Sequence, residues 1–226
     1  MTTEFLSKRR LSFVASFCAV CFVVCCCLYA FYLSNATIVD TQKTFYYLVS
    51  TSTHIQASTH DTTRLGGAGY PLQIDGQTRV VVAVYFTQEN ATVVCSSLKQ
   101  IQTEIIQITS PKLYLKTRKQ KKNAQTYKNA FSCMYSLQEL LDREINREQN
   151  GATQQSCKRV LTQIQKQFNY LQKQYETTFL SFAIVCENAC NALSKIMENI
   201  VYIEDLRYLS CELSVAYLNL SKEFCI

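Results

Sequence analysis

The sequence predicts an α+β chain that begins with a single N-terminal transmembrane helix and ends in an α-helical hairpin or bundle. Three observations lead to this fold class: a long apolar run near the N-terminus, a strand-rich stretch with four of the five glycines, and a C-terminal half with helical periodicity. We therefore divide the 226 residues into a cytoplasmic basic tail (1–10), a transmembrane helix (11–33), a linker (34–43), an α+β unit (44–110) and a helical region (111–226).

The apolar run at residues 11–33 contains no charged residue, no proline and no glycine. A helix of this length covers a hydrocarbon core of about 30 Å. Basic residues 8–10 precede the run and are expected to stay in the cytoplasm. We predict a single-pass protein of the cell membrane whose C-terminal part is extracytoplasmic. A cleaved signal peptide is the alternative, because residues 34–36 offer small side chains near a cleavage point.

Strand signals dominate the first part of the α+β unit. Aromatic and β-branched residues predict strands at Phe45–Val49, Gly69–Ile74 and Arg79–Phe86. The pair Asp75-Gly76 predicts a hairpin turn, because both residues tolerate a positive φ. The stretch Ser50–Arg64 is expected to form an irregular or helical link.

The end of the α+β unit changes to a helical pattern. Thr87 is a good N-cap, and apolar residues recur at helical spacing from Ala91 to Ile101. Glu104–Thr109 alternates again and predicts a closing strand. One helical layer on one antiparallel sheet follows from this order.

Residues 112–226 keep the three- and four-residue spacing of amphipathic helices, and only Gly151 interrupts them. The pattern predicts a two- or three-helix antiparallel bundle or a coiled-coil hairpin. Whether the last two apolar stretches, on either side of residues 198–205, form one helix stays open.

The charge distribution indicates which partners the chain suits, and the cysteine spacing indicates whether a disulfide framework is present. The net charge is +6, and Lys116–Lys122 supplies five positive charges in seven residues, which suit lipid headgroups, anionic wall polymers or solvent. Seven cysteines lie beyond residue 33, dispersed and without a CxxC motif, as is typical of small buried apolar residues rather than of a disulfide framework.

Catalytic and cofactor patterns are missing from the sequence. His54 and His60 lack partners at catalytic or ligand spacing, and Cys186 and Cys190 share a helical face without further ligands. The glycines at residues 66–69 are not followed by the Lys-Ser/Thr of a phosphate loop. We predict no enzymatic activity, no cofactor, no metal and no nucleic-acid partner.

Residues 78–91 carry a resemblance to a known family. Their Arg-Val-x-Val strand ends in an aromatic residue and is followed by a polar cap, an acidic residue and Ala91; Leu98-Lys99 and the strand Ile105–Ile108 come next, and Tyr46–Val49 supplies a first strand. This resembles a SPOR domain, the sporulation- and cell-division-related module of bacterial envelope proteins, here of a Firmicutes type. The resemblance implies a small ferredoxin-like βαββαβ fold that binds peptidoglycan glycan strands at septa.

A glycan site follows from that resemblance and from strand alternation. If Val80, Val82 and Val84 face the helices, the open face of the sheet carries Arg79, Val81 and Ala83. Tyr47 and Gln107 are expected to join them. We therefore predict glycan binding by the residues that share this face: Tyr47, Arg79, Val81 and Gln107.

A second function stays open beside glycan binding. In it, the chain is a structural or scaffold membrane protein that acts through self-association of its helical C-terminal region, or through a septal protein partner bound there. The α+β unit is then a spacer.

Overall fold

A computed structural model describes residues 22–26 and 37–225 of the chain. Residues 22–26 are helical. No helix within these described ranges has the length and apolar character needed to cross a membrane. The predicted fold class, which begins with a spanning helix, is therefore wrong for the described residues, and the rest of the run 11–33 lies outside them.

Residues 37–225 form six strands and seven helices and belong to the α+β class. The strands are β1 (Thr37–Val39), β2 (Thr44–Ser50), β3 (Tyr70–Ile74), β4 (Gln77–Tyr85), β5 (Thr103–Thr109) and β6 (Leu113–Leu115). The helices are α1 (Ile55–Arg64), α2 (Gln88–Ser97), α3 (Arg118–Lys122), α4 (Ala124–Gln149), α5 (Gln154–Tyr175), α6 (Leu180–Glu198) and α7 (Ile203–Lys222).

The larger sheet has the antiparallel order β3-β4-β2-β5. With α1 and α2 as its crossover helices, residues 44–109 follow the βαββαβ course of a ferredoxin-like sandwich. The link after β2 contains a regular helix, α1, where the sequence left a helical or irregular link open.

Local sequence explains two of these boundaries. Asp75 and Gly76 both have positive φ, at 49° and 76°, and form the two-residue turn between β3 and β4. Thr87 is the N-cap of α2, because its side-chain oxygen accepts a hydrogen bond from the Asn90 backbone N–H at 3.3 Å.

Four long helices, α4 to α7, follow one another with short connections and form a bundle. This corrects the predicted two- or three-helix bundle or coiled-coil hairpin. A break at residues 199–202 separates α6 from α7, so the last two apolar stretches are two helices. Helix α7 packs on β4, and α4 packs beside α7.

One hydrophobic core joins the sheet to the bundle. Tyr47 of β2 is fully buried, and its hydroxyl donates to Ser214 Oγ on α7 at 2.9 Å. Tyr217, also on α7, donates from its hydroxyl to the Thr41 carbonyl at 2.5 Å. The sheet therefore has helices on both faces: α1 and α2 on one, α4 and α7 on the other.

The smaller sheet pairs β1 with β6 in antiparallel register, with Ile38 opposite Tyr114. Leu113 and Leu115 are fully buried and belong to the same core. The Tyr114 backbone N–H also donates to the Phe224 carbonyl at 3.1 Å, so this sheet lies beside the C-terminal end of α7.

Candidate partner-binding groove

The predicted glycan-binding residues are not brought together on an open surface. Tyr47 and Val81 are both 0% exposed, because α7 and α4 cover the face that the sequence left open. Arg79 is partly exposed, and its Nη1 lies 3.2 Å from Glu104 Oε1. Gln107 is exposed but lies opposite Tyr46 in the sheet.

The pairing of Gln107 with Tyr46 shows on which face of the sheet the Gln107 side chain lies. Neighbouring residues of a strand point to opposite faces, so Gln107 shares a face with Tyr46 and not with Tyr47. The prediction that all four residues share one open face of the sheet is therefore wrong. Glycan binding by Arg79 or Gln107 stays a prediction.

An open groove of about 730 Å³ runs between α4 and α5, which the turn at residues 150–153 connects. Its floor is apolar and buried, formed by Leu137 of α4 and by Ile164, Leu171 and Tyr175 of α5. On its walls, Leu140 is 40% exposed and Tyr170 is 62% exposed. This groove is the candidate site.

Helix α5 is fixed mainly on the side away from the groove. Gln165 Nε2 donates to Ser194 Oγ at 2.6 Å and to the Cys190 carbonyl at 3.1 Å, both on α6. Gln154 exchanges two hydrogen bonds of 2.9 Å with the backbone of Val201, just before α7. These bonds hold the α5 wall in place.

Helices α4 and α5 are joined directly beside their connecting turn. Arg147 Nη2 donates to Ser156 Oγ at 2.8 Å, and Gln154 Nε2 donates to Glu148 Oε1 at 3.0 Å. Farther from the turn, the groove separates exposed side chains of the two helices, Ser132 and Cys133 on α4 and Tyr170 on α5. The groove therefore lies beside a part of α5 that its hydrogen bonds to α6 hold in place.

The groove has a neutral-to-basic character. Its polar lining consists of neutral side chains and Lys166, without an acidic side chain. Helix α5 as a whole holds four basic residues and no Asp or Glu; the basic ones are Lys158, Arg159, Lys166 and Lys173. Helix α4 carries acidic side chains outside the lining, among them Glu139 next to Leu140 in sequence, so the positive charge belongs to the α5 wall. That wall favours a ligand with negative charge beside an apolar surface.

The buried cysteines around the bundle act as apolar side chains. Burial raises the pKa of the Cys157 thiol and of the Cys186 thiol to about 12, which keeps both protonated. Among the described residues, no cluster of three His, Cys, Asp or Glu side chains suits a metal ion.

Comparisons were made with models of protein families, with curated proteins and with solved structures. None of the three gave a match. They identify no SPOR domain, so that resemblance stays a prediction. The function is therefore argued from the groove itself.

From the sequence, the amphipathic helices of residues 112–226 were predicted to form a bundle, and the groove was not predicted. The signal that could have found it is a pair of adjacent apolar residues, Leu140-Leu141 on α4 and Tyr170-Leu171 on α5. A helix that buries only one face needs one residue of each pair. Leu141 and Leu171 are buried, while Leu140 and Tyr170 face the groove.

Proposed function

We propose that this chain is a scaffold protein that binds an acidic amphipathic helix of a partner protein in the groove between α4 and α5. The observation that carries this proposal is an apolar floor with exposed Leu140 and Tyr170 above it, in a lining without an acidic side chain. It develops the prediction that the helical C-terminal region acts by binding a partner.

A helix is the occupant that fits the shape. Two antiparallel neighbouring helices form an elongated trough, and α5, with 22 residues, is about 33 Å long. Exposed α5 residues line it at helical spacing, namely Gln163, Lys166, Gln167, Tyr170 and Gln174. Such a stripe forms ridges against which the side chains of a third helix can pack.

The positive charge on the α5 wall predicts acidic residues on both sides of the apolar stripe of the partner helix. An apolar stripe on the partner covers Leu140 and Tyr170, and carboxylates beside that stripe meet Lys166 on the α5 wall. Charge complementarity of this kind sets specificity and association rate more than affinity.

The test uses three fluorescent 18-residue peptides and the full chain. The first peptide combines an apolar stripe at i, i+3, i+4 and i+7 with Glu on its flanks; the second keeps the stripe with Lys flanks; the third keeps Glu with a scrambled stripe. We expect the first peptide to bind roughly tenfold more tightly than the other two in fluorescence anisotropy, a difference of about 1.4 kcal/mol.

Groove variants locate the binding. Tyr170→Glu and Leu140→Glu are expected to weaken binding of the first peptide roughly tenfold, because each places a charge on the apolar contact surface. Ile184→Glu is the matched control, since Ile184 on α6 is 48% exposed and does not line the groove. Equal binding of all three peptides, no binding, or equal loss with the control variant overturns the proposal.

A further inference from the structure

Residues 112–138 carry seven basic residues and no acidic residue. The basic residues are Lys112, Lys116, Arg118, Lys119, Lys121, Lys122 and Lys128. The sequence alone allows a solvated helix face for such a run. The structure adds an apolar component to it, which changes the kind of partner that it fits.

That apolar component lies on the outer side of the β1–β6 sheet. Leu113 and Leu115 point into the core, so alternation turns Lys112, Tyr114 and Lys116 outward. Ile38 is paired with Tyr114 and is 57% exposed. An isoleucine and a tyrosine therefore lie side by side between two lysines.

Helix α3 extends this surface directly after β6. Gln120 Oε1 accepts hydrogen bonds from the backbone N–H groups of Lys116 and Thr117, at 2.9 and 3.0 Å, which fixes α3 against the end of β6. Arg118, Lys119 and Lys122 are exposed on it. We call the set Ile38, Lys112, Tyr114, Lys116 and Arg118–Lys122 the basic ribbon.

The exposed cations of the basic ribbon, Lys112, Arg118, Lys119 and Lys122, outnumber the carboxylates on the segments that adjoin it. Lys116 Nζ donates to the Cys225 carbonyl at 3.2 Å. Asp40 follows β1 and Glu223 follows α7, so two carboxylates lie on the adjoining segments. Lys43 is directed at the Tyr135 ring, 4.1 Å from its centroid, and adds a further cation in this part of the fold.

We infer that the basic ribbon binds the surface of an anionic lipid bilayer. Clustered Lys and Arg are attracted to anionic headgroups, and tyrosine rings accumulate at the boundary between headgroups and hydrocarbon. A soluble polyanion uses the cations but gains little from Ile38. In the sequence, four residues separate Ile38, the first residue of the basic ribbon, from the apolar run at residues 11–33. This inference is independent of the α4–α5 groove.

The chain contains no tryptophan, so a single substitution gives a specific fluorescent reporter. The full chain with Tyr114→Trp is mixed with phosphatidylcholine vesicles, with and without phosphatidylglycerol, that contain lipids brominated near the glycerol end of their chains. We expect the tryptophan emission to shift to the blue and to be quenched roughly threefold more in the anionic vesicles. The apolar run and basic residues 8–10 are present in every sample, so the positional control and the charge variants below assign the difference between lipids to the basic ribbon.

Tyr202→Trp is the positional control. Tyr202 is 49% exposed just before α7, whereas the basic ribbon lies at the other end of that 20-residue helix, about 30 Å away. Its emission is expected to be the same with both lipids. Equal quenching of Tyr114→Trp with both lipids, or equal quenching at position 202, overturns the inference.

Charge variants in the Tyr114→Trp background test the cations. Arg118→Gln, Lys119→Gln and Lys122→Gln together are expected to remove the difference between anionic and neutral vesicles. The same number of Gln substitutions at Lys158, Arg159 and Lys173 on α5 is expected to leave it unchanged. If soluble polyphosphate shifts the emission as anionic vesicles do, the basic ribbon is a general polyanion site and the lipid inference is wrong.

Discussion

The carboxyl group of Asp142 is partly buried. It lies on α4 beside a small cavity that Arg207 and Ser210 of α7 also line. Burial raises the pKa of Asp142 to about 6; Arg207 lowers this pKa and Glu139 raises it further, both to a smaller extent. The contact between α4 and α7 therefore favours the protonated form of this side chain.

The raised pKa of Asp142 predicts a pH dependence of stability. Its folded pKa lies above its ordinary value of 3.8, so its stabilising contribution is complete below about pH 4 and is lost as pH rises through about 6. Asp142→Asn should raise the free energy of unfolding at pH 7 by on the order of 1 kcal/mol and change it little at pH 4. The effect at pH 7 is kept this small because solvent screens the partly exposed carboxyl group.

Urea unfolding of the full chain at several pH values measures this effect. Asp61→Asn serves as the control, because Asp61 is exposed on α1. If Asp142→Asn keeps the pH dependence of the unsubstituted chain, the carboxyl is solvated and the expectation fails.

Strand alternation shows how far single residues were predictable. Tyr47 lies opposite Val84, so strict alternation along β4 would place Val82 on the same face. The pairing of β2 with β4 is irregular between Leu48 and Val49, and it is Val81 that shares the face of Tyr47 and Val84, whereas Val82 lies on the other face. Gln107 was placed with Tyr47 because a sequence does not contain the register between β2 and β5. Which helix covers a face is likewise a long-range property.

The connection between α1 and β3 contains Gly67, where close contacts leave no room for a side chain. A Cβ at Gly67 would lie 2.5 Å from Thr62 Cγ2 and 3.0 Å from Val82 Cγ1. Arg207 Nη1 of α7 donates to the Gly66 carbonyl at 2.5 Å, which ties this connection to the bundle. It is therefore part of the packing between α1 and the sheet.

Gly67→Ala is expected to lower the free energy of unfolding by about 1–3 kcal/mol, because the added methyl group overlaps Thr62. Thr62→Ser removes the methyl group that it meets, so the double variant should lose less stability than the sum of the two single variants. Chemical denaturation of the four proteins measures this coupling. Strict additivity would show that the methyl groups do not meet.

Helix boundaries were predictable where a cap or glycine marks them. Thr87 and Thr153 both accept a backbone N–H with their side chains, and Gly151, with a φ of 82°, lies in the turn before α5. Phe179 and Tyr202, the N-cap residues of α6 and α7, form no side-chain hydrogen bond with the helix that follows. Those two starts depend on tertiary packing, so the sequence did not separate the helices.

At the scale of the whole molecule, the α+β unit and the bundle share one core. The same cluster contains Phe45 and Tyr47 of the sheet and Cys157, Cys186 and Cys211 of α5, α6 and α7. Burial raises the pKa of all three thiols, so they react slowly in the folded state. They are internal reporters of unfolding.

A shared core predicts one cooperative transition. In increasing urea, the three buried thiols should become reactive to a maleimide over the same range in which the β4 amides lose protection against hydrogen exchange. Mass spectrometry of the labelled peptides measures both. Labelling of Cys157 and Cys186 while the β4 amides stay protected would show that the bundle unfolds as a separate unit.

Coverage of both faces of the larger sheet leaves its two edges as the places where its backbone can meet another chain. Pro71 lies in the edge strand β3 and has no N–H to offer. The opposite edge, β5, runs for seven residues without a proline or glycine, with Glu104 near its start. Pairing with an added strand is therefore favoured at β5, with Glu104 as the charged residue that limits unspecific association there.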